Sequence, residues 1–319
     1  MMPLKLKILE SVQLSKLIIL GSGPAGLAAA IYTTRAGVET KIVEGPTPGG
    51  QLMFTSEVEN YPGFPEPIMG PELMSLMRRQ VERLGVEFIP GNVTSVNFTK
   101  RPFEINVGKT AYKADSVIVA TGASAKQLGL ESERRLRGKG VSYCATCDGF
   151  FFKDKNVVVV GGGDTAAEDA IYLSNVAKSV VLIHRRDRLR ATKVIQDRIF
   201  KKGKISFFWS SIVEGILGEK KVEGVKIKEL KTGRVYEYRC DGVFIAVGYA
   251  PNTEIFRGQL DLDEAGYIRV HDATRTNRKG IFAAGDVVDR IYRQAITAAG
   301  QGCQAAMETV RYLEYQEAK

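Results

Sequence analysis

The chain has 319 residues, 44% hydrophobic and 25% charged, which supplies a large core and excludes a disordered polypeptide. No apolar run approaches the ~18 residues of a membrane-spanning helix, and residues 1–16 lack the apolar stretch of a signal peptide. A net charge of +9 without aromatic–basic interleaving or a helix-turn-helix pattern argues against nucleic acid and points to an acidic partner or cofactor. A two-domain protein of the cytoplasm, without membrane attachment, is expected.

The first predicted element is a strand, Leu17-Ile18-Ile19-Leu20, which runs into Gly21-Ser22-Gly23-Pro24-Ala25-Gly26 and an Ala-rich helix. Strand, G-x-G-x-x-G turn and helix together begin a βαβ unit that binds a dinucleotide. The glycines permit a tight turn and a close backbone approach, so that a pyrophosphate rests on amides at the helix N-terminus. The second strand ends at Glu44, where a carboxylate accepts hydrogen bonds from a ribose diol and repels a phosphate. A Gly- and Pro-rich loop covers 45–70, a helix is expected near 71–84, and short alternating strands over 86–112. A buried strand over 116–120 then ends in Thr121-Gly122-Ala123.

Cys144-Ala145-Thr146-Cys147 follows and has three readings. Zinc would need two more ligands, and Cys240, Cys303, His184 and His271 offer no pair at ligand spacing. A pair of inert core thiols is the second reading. Redox chemistry is preferred, because two thiols at this spacing can close a small disulfide and lower each other's pKa. Asp148 comes next, either as a turn former before Gly149 or, the preferred reading, as a proton donor to a leaving thiolate. Cys240 and Cys303 stand alone and read as small buried hydrophobes.

A second unit repeats the first at a shift of 140 positions. Gly21 falls on Gly161, Gly23 on Gly163 and Gly26 on Ala166, with Asp164 and Thr165 inside the turn and Val157-Val158-Val159-Val160 as the strand before it. The second strand, near 178–183, ends where Glu44 is replaced by His184-Arg185-Arg186, with Arg190 close behind. Cations there suit a ribose 2′-phosphate. A merely solvated basic loop is the alternative, and the register disfavours it. Two different dinucleotides are therefore expected. A helix near 191–201, a hairpin-rich stretch over 206–238 and a strand over 243–248 complete the repeat. About seventy residues remain, with Gly280-Ile281-Phe282-Ala283-Ala284-Gly285-Asp286 and a last helix near 294–314. The preferred fold is α/β, with two Rossmann-like domains, one inserted into the other. Residues 1–123 and 252–319 form the first and 124–251 the second, with crossings near 123–127 and 248–252 where Gly and Pro favour turns.

Taken together these residues resemble the low-molecular-weight thioredoxin reductases of bacteria, archaea and plants, over roughly residues 17–313. The specific matches are the first fingerprint, Gly49-Gly50-Gln51-Leu52, Glu57-Val58-Glu59-Asn60-Tyr61-Pro62-Gly63, Cys144-Ala145-Thr146-Cys147-Asp148-Gly149, His184-Arg185-Arg186-Asp187, Ala284-Gly285-Asp286 and Arg293-Gln294-Ala295. The resemblance implies FAD in the first fingerprint, NADPH in the second, a homodimer, and thioredoxin as the disulfide partner. It implies that Asp286 holds the ribityl chain of the flavin. Gln51, Asn60, Gln294 and Ala295 are then placed around the flavin ring or its linker, and Gly50, Ala120, Thr121, Gly122 and Arg293 belong to the same site. Two features depart from the pattern: a longer N-terminal extension, and Asp164 where Asn is frequent, an acid mildly unfavourable beside a pyrophosphate.

The cysteine pair precedes the second fingerprint instead of following the first, as it does in glutathione-reductase-like enzymes. It is therefore assigned to the inserted domain, which the family rotates between clients of the flavin. Electrons are expected to pass from NADPH through FAD to Cys144–Cys147, with Cys147 facing the flavin because it adjoins Asp148. One rival is a related reductase serving another redoxin or a peroxiredoxin. Such proteins usually carry a thioredoxin-like domain ahead of the first strand, where this sequence has about sixteen residues. The other rival, a non-enzymatic NADPH-sensing flavoprotein, would need neither the cysteine pair nor Asp148.

Overall fold

The computed structural model describes residues 13–55 and 57–318, so the reading of residues 1–16 falls mostly outside the described residues. In chain order the first part runs β1 (Gln13–Leu20), α1 (Pro24–Arg35), β2 (Thr40–Val43), β3 (Glu57–Val58), β4 (Ile68–Met69), α2 (Gly70–Glu82), β5 (Glu87–Ile89), β6 (Val93–Asn97), β7 (Phe103–Val107) and β8 (Thr110–Val119). Then come β9 (Ala123–Ala125), α3 (Glu131–Leu136), β10 (Val141–Ser142), α4 (Ala145–Asp148), β11 (Asn156–Gly161), α5 (Asp164–Val176) and β12 (Ser179–Ile183). Next are α6 (Lys193–Ile199), β13 (Ile205–Phe208), β14 (Ser211–Leu217), β15 (Gly224–Glu229), β16 (Val235–Arg239) and β17 (Gly242–Ala246). The chain ends with β18 (Tyr249–Pro251), β19 (Ile281–Ala283) and α7 (Ala295–Glu317).

The described residues divide into two compact units: 13–55, 61–124 and 250–318 in one, 57–60 and 125–249 in the other. In the first, Leu17, Ile18, Ile19 and Leu20 are fully buried, as an unbroken apolar run must be when both sheet faces are covered. The sheet order is β5-β2-β1-β8-β7-β6. β8 is long enough to serve two partners in succession. Its residues 110–114 pair antiparallel with β7, and 117–119 pair parallel with β19. The last part of the chain thus supplies a strand to the same sheet that the first part began. α7 also returns to α1: a Cβ at Gly302 would lie 2.1 Å from the Ala25 carbonyl oxygen, so the two helices meet at backbone distance.

The second unit holds a five-stranded parallel sheet, β10-β17-β11-β12-β13, and a three-stranded antiparallel sheet, β14-β15-β16. Val157, Val158 and Val159 are fully buried in its centre. Both units are Rossmann-like, and the repeat is visible in the pairing. β1 lies between β2 and β8, and β11 lies between β12 and β17, with parallel registers on both sides. The chain crosses from one unit to the other at two places. On the side of the first unit Asn252 N–H donates to Gly122 O at 3.0 Å, and on the side of the second Lys126 N–H donates to Gly248 O at 2.9 Å.

Several expected boundaries move. β1 begins four residues before the apolar run, because Gln13 to Leu20 find partners along the whole of 112–119. α6 is confined to Lys193–Ile199 and α7 extends to Glu317. Residues 57–60, which the sequence reading keeps with the first unit, group with the second.

Candidate functional site

Each fingerprint builds a helix N-terminus with no side-chain cap. In the first, Gly23 is the N-cap of α1 and no side chain bonds to the amides beyond it. Its neighbours explain why they are glycines. Gly21 has φ +113°, and a Cβ there would lie 2.3 Å from Ala120 O; a Cβ on Gly26 would lie 1.9 Å from Gly21 O. Gly23 differs, since a Cβ there would meet nothing within 4 Å. Packing within the protein demands Gly21 and Gly26, and leaves open the space before Gly23, toward which orphan amides and the positive end of the helix dipole are directed. That is a fitting cradle for a pyrophosphate. Pro24 and Ala25 open the helix, with Pro at a position whose missing N–H costs nothing.

Around this cradle the structure brings several expected residues together. A Cβ on Gly50 would lie 3.6 Å from Gly23 Cα, and one on Gly285, the neighbour of Asp286, 2.9 Å from Ala25 Cβ. Ser22 holds the loop by donating to Glu44 O at 2.9 Å and accepting from Gly49 N–H at 3.2 Å. Glu44, at the end of β2, has its carboxylate bonded by Arg78 of α2. Thr121 donates to Asn252 O at 2.9 Å, which fixes the turn Ala120-Thr121-Gly122. Gln51 lies in the single helical turn of residues 50–54. Asn60 is in the stretch that groups with the second unit. Burial and the adjacent Asp289 push the Asp286 carboxyl up to about 7, with Arg293 opposing them. Asp289 shapes the loop that follows: it accepts from the N–H groups of Ile291, Tyr292 and Arg293 at 2.8, 2.9 and 3.2 Å. Arg293 takes φ +49°, and Gln294 caps α7 in a reciprocal box with Thr297, which sets Ala295 as its first residue.

The second cradle repeats the geometry. Gly163 is the uncapped N-cap of α5 and its Cβ direction is empty, whereas a Cβ on Gly161 would lie 2.4 Å from Ala246 O and 2.6 Å from Ala166 Cβ. Thr165 is half-buried in the first turn of α5. Asp164 Oδ1 accepts the N–H of Thr192 at 2.7 Å. The carboxylate is thereby engaged at the start of α6, which lessens the objection to an acid in this turn. Arg185, Arg186 and Arg190 are exposed, and Arg190 N–H donates to Gly162 O at 2.7 Å, so the basic loop is pinned to the glycine turn. His184 departs from the cluster of cations. It is 4% exposed, its ring fills the space where a Cβ on Gly162 would lie 2.2 Å away, and burial with Arg190, Arg186 and Arg185 lowers its pKa. A neutral imidazole behind the glycine turn shapes the site without adding charge.

Cys144 and Cys147 form a disulfide in the second unit. Cys144 is the N-cap of α4, and its Sγ accepts the N–H of Cys147 at 3.2 Å. Thr146, between them, is exposed. Tyr143, immediately before, is gripped twice: its hydroxyl donates to Glu133 at 2.7 Å, and its carbonyl accepts from the Tyr249 hydroxyl at 2.6 Å. Glu133 is fully buried and also accepts the N–H groups of Leu128, Gly129 and Leu130. Asp148 closes α4, and burial pushes its carboxyl up while a hydrogen bond from Ser142 opposes the shift. Of the other cysteines, Cys240 is buried and its thiol is pushed up to about 12, which suits the inert reading. Cys303, which borders the buried stripe of α7, is only half-buried.

Sequence reasoning missed Arg78, Ser142 and Asp289. Arg78 shows only its pairing with Glu82 one turn on, which gives no hint that it reaches Glu44. Asp289 bonds the N–H two residues on, as an Asp that initiates a turn does, and the residue type was the one signal that could have been read.

A family described as pyridine nucleotide-disulphide oxidoreductase matches residues 15–302. The chain is 56% identical over 299 residues to a thioredoxin reductase of Streptomyces clavuligerus, covering 93% of each. It is 52% identical over 304 residues to a thioredoxin reductase of Rickettsia conorii, covering 94% of this chain and 98% of the relative. Among solved structures it is similar to thioredoxin reductase from Streptococcus pyogenes, with a TM-score of 0.91 at 43% identity, over 96% of this chain and 100% of the other.

Proposed function

Because the chain belongs to the low-molecular-weight thioredoxin reductases, within the pyridine nucleotide-disulphide oxidoreductases, we propose that it passes electrons from NADPH through FAD to Cys144–Cys147 and on to oxidised thioredoxin. Family membership carries flavin and pyridine nucleotide use, and the finer assignment is ours: FAD to the cradle at Gly23, NADPH to the cradle at Gly163. The observation that carries the reading is a disulfide in the same unit as the second cradle, with a carboxyl of raised pKa directly behind it.

A bound flavin supplies the hydride acceptor and the two-electron donor that this chemistry requires. The chain's own residues do the rest. Glu44 receives the diol of the adenosine ribose, and Asp286 receives hydroxyls of the ribityl chain. Gly50, Gln51, Asn60, Ala120, Thr121, Gly122, Arg293, Gln294 and Ala295 complete that site. Arg185, Arg186 and Arg190 read the 2′-phosphate. Opening Cys144–Cys147 takes up two electrons, and Asp148 gives a proton to the departing sulfur. One thiolate of the pair then attacks the thioredoxin disulfide, forming a mixed disulfide and expelling a thioredoxin thiolate. The other cysteine resolves it, which releases reduced thioredoxin and restores Cys144–Cys147. Cys147 is assigned to the flavin side because it adjoins Asp148. We place the enzyme in the cytoplasm as a homodimer, and light scattering tests the dimer as twice the mass of one chain. No helix among the described residues is long and apolar enough to cross a membrane.

The test is turnover by the purified, FAD-loaded protein with thioredoxin and either nicotinamide. Thioredoxin-dependent oxidation of NADPH is the expected result. No acceleration by thioredoxin would redirect the reading to another disulfide carrier, and no turnover with any disulfide would contradict it.

A further inference from the structure

We propose that Ser142 is a positioning residue of the disulfide reaction, tying the Asp148 carboxyl to the backbone of Cys144 and accommodating it with or without its proton. The proposal rests on Asp148 being the proton donor.

Ser142 is 4% exposed on β10. Its Oγ accepts the N–H of Cys144 at 3.1 Å and donates to Asp148 Oδ2 at 2.5 Å, while Cys144 O stands 3.3 Å away. A hydroxyl has one proton to give and two lone pairs to offer. With Asp148 ionised, the serine proton goes to Oδ2. With Asp148 protonated, the carboxyl can donate to Oγ, and the serine proton turns to Cys144 O. In both states the Cys144 N–H keeps its partner, so the start of α4 need not move when the proton does. The other carboxyl oxygen, Oδ1, is buried with no hydrogen-bond partner among the described residues. Compensation for this carboxyl therefore falls on the serine, and a buried carboxylate that loses it is left costly.

A cleft of about 230 Å³ in the same unit is lined by both Ser142 and Asp148, and the charged groups that face it are Lys139, Lys155, Lys221 and Asp241. It offers a way for Asp148 to exchange its proton with water. As the Cys144–Cys147 bond opens, two electrons from the nicotinamide enter the pair and one sulfur leaves. That sulfur takes the Asp148 proton, and the resulting carboxylate is held by Ser142 until water in the cleft reprotonates it.

The experiment compares S142A, S142C, S142T and D148N as full-length, FAD-loaded enzymes across the pH profile of thioredoxin reduction. D148N identifies the limb that belongs to Asp148. In S142A, and in S142C, which keeps the volume with a weak donor, that limb moves to higher pH, because the hydrogen bond favouring the ionised form is gone. S142T, which keeps the hydroxyl, brings it back. The infrared carboxyl band that vanishes in D148N titrates at higher pH in S142A, a readout independent of turnover. Bleaching of the flavin by NADPH stays as in wild type and reports an intact fold. A limb that D148N removes but S142A and S142C leave in place overturns the role of Ser142 and spares Asp148. A profile that D148N leaves intact overturns the Asp148 reading, and the proposal with it.

Discussion

A carboxyl raised from 3.8 to about 7, as Asp286 is, works against folding over a defined window. Between those two values the folded chain holds a proton that the unfolded chain has released, so stability falls as pH rises from about 4 to about 7. Chemical denaturation of the flavin-free protein should show that decline, and Asp286→Asn should flatten it. Above about pH 7, where this carboxyl is ionised, the same substitution should weaken flavin retention by the ~1.5–3 kcal/mol of a hydrogen bond to a charged group. Arg185 and Arg186 sit at the other extreme. They are exposed, so replacing both with alanine should leave the melting temperature nearly unchanged and raise the NADPH Michaelis constant ~10-fold or more, with NADH almost unaffected. Equal losses for both nicotinamides would show that these arginines do not read the phosphate. The positions of such residues are legible in sequence because register fixes them, and their roles are what these measurements test. Ser142 and Arg78 were not legible: Arg78 meets a carboxylate 34 positions away in sequence, the Ser142 bond depends on how a buried turn folds back, and a residue type alone carries no sign of either.

At the scale of elements, the two glycine turns separate what the fold needs from what a ligand needs. Gly26→Ala places a methyl 1.9 Å from Gly21 O, a contact with backbone that cannot relax cheaply. It should destabilise by about 2 kcal/mol or more, in the range of overpacked cores. Gly23→Ala meets nothing within 4 Å and should fold within about 1 kcal/mol of wild type, yet lose flavin, because the methyl enters the space before the helix amides. Melting curves and the retained flavin absorbance separate the two outcomes. A Gly23→Ala protein that stayed fully yellow would mean that the cradle holds no phosphate. The strands and helices of both repeats were readable from apolar runs and turn residues. The double service of β8 was not, because pairing with β19 depends on residues about 160 positions later, beyond any local pattern.

At the scale of the whole molecule, the disulfide and the second glycine turn share one unit, and the chain enters and leaves that unit at neighbouring points. Gly122 and Asn252 are joined by one hydrogen bond, as are Lys126 and Gly248. Removing 125–249 and closing the gap with a short linker should therefore leave the first sheet whole, and the product should still bind FAD while losing all response to NADPH. Failure of that shortened chain to fold would mean that the first unit depends on its insert. The insertion was legible because the repeat runs out with residues to spare, and the grouping of 57–60 was not, since a short loop segment carries no periodicity to place it. The central claim is that electrons reach thioredoxin through Cys144–Cys147, and steady-state thioredoxin reduction by Cys144→Ser and Cys147→Ser tests it most directly. Both variants should still be bleached by NADPH yet reduce no thioredoxin; near-normal thioredoxin reduction by either would contradict the account.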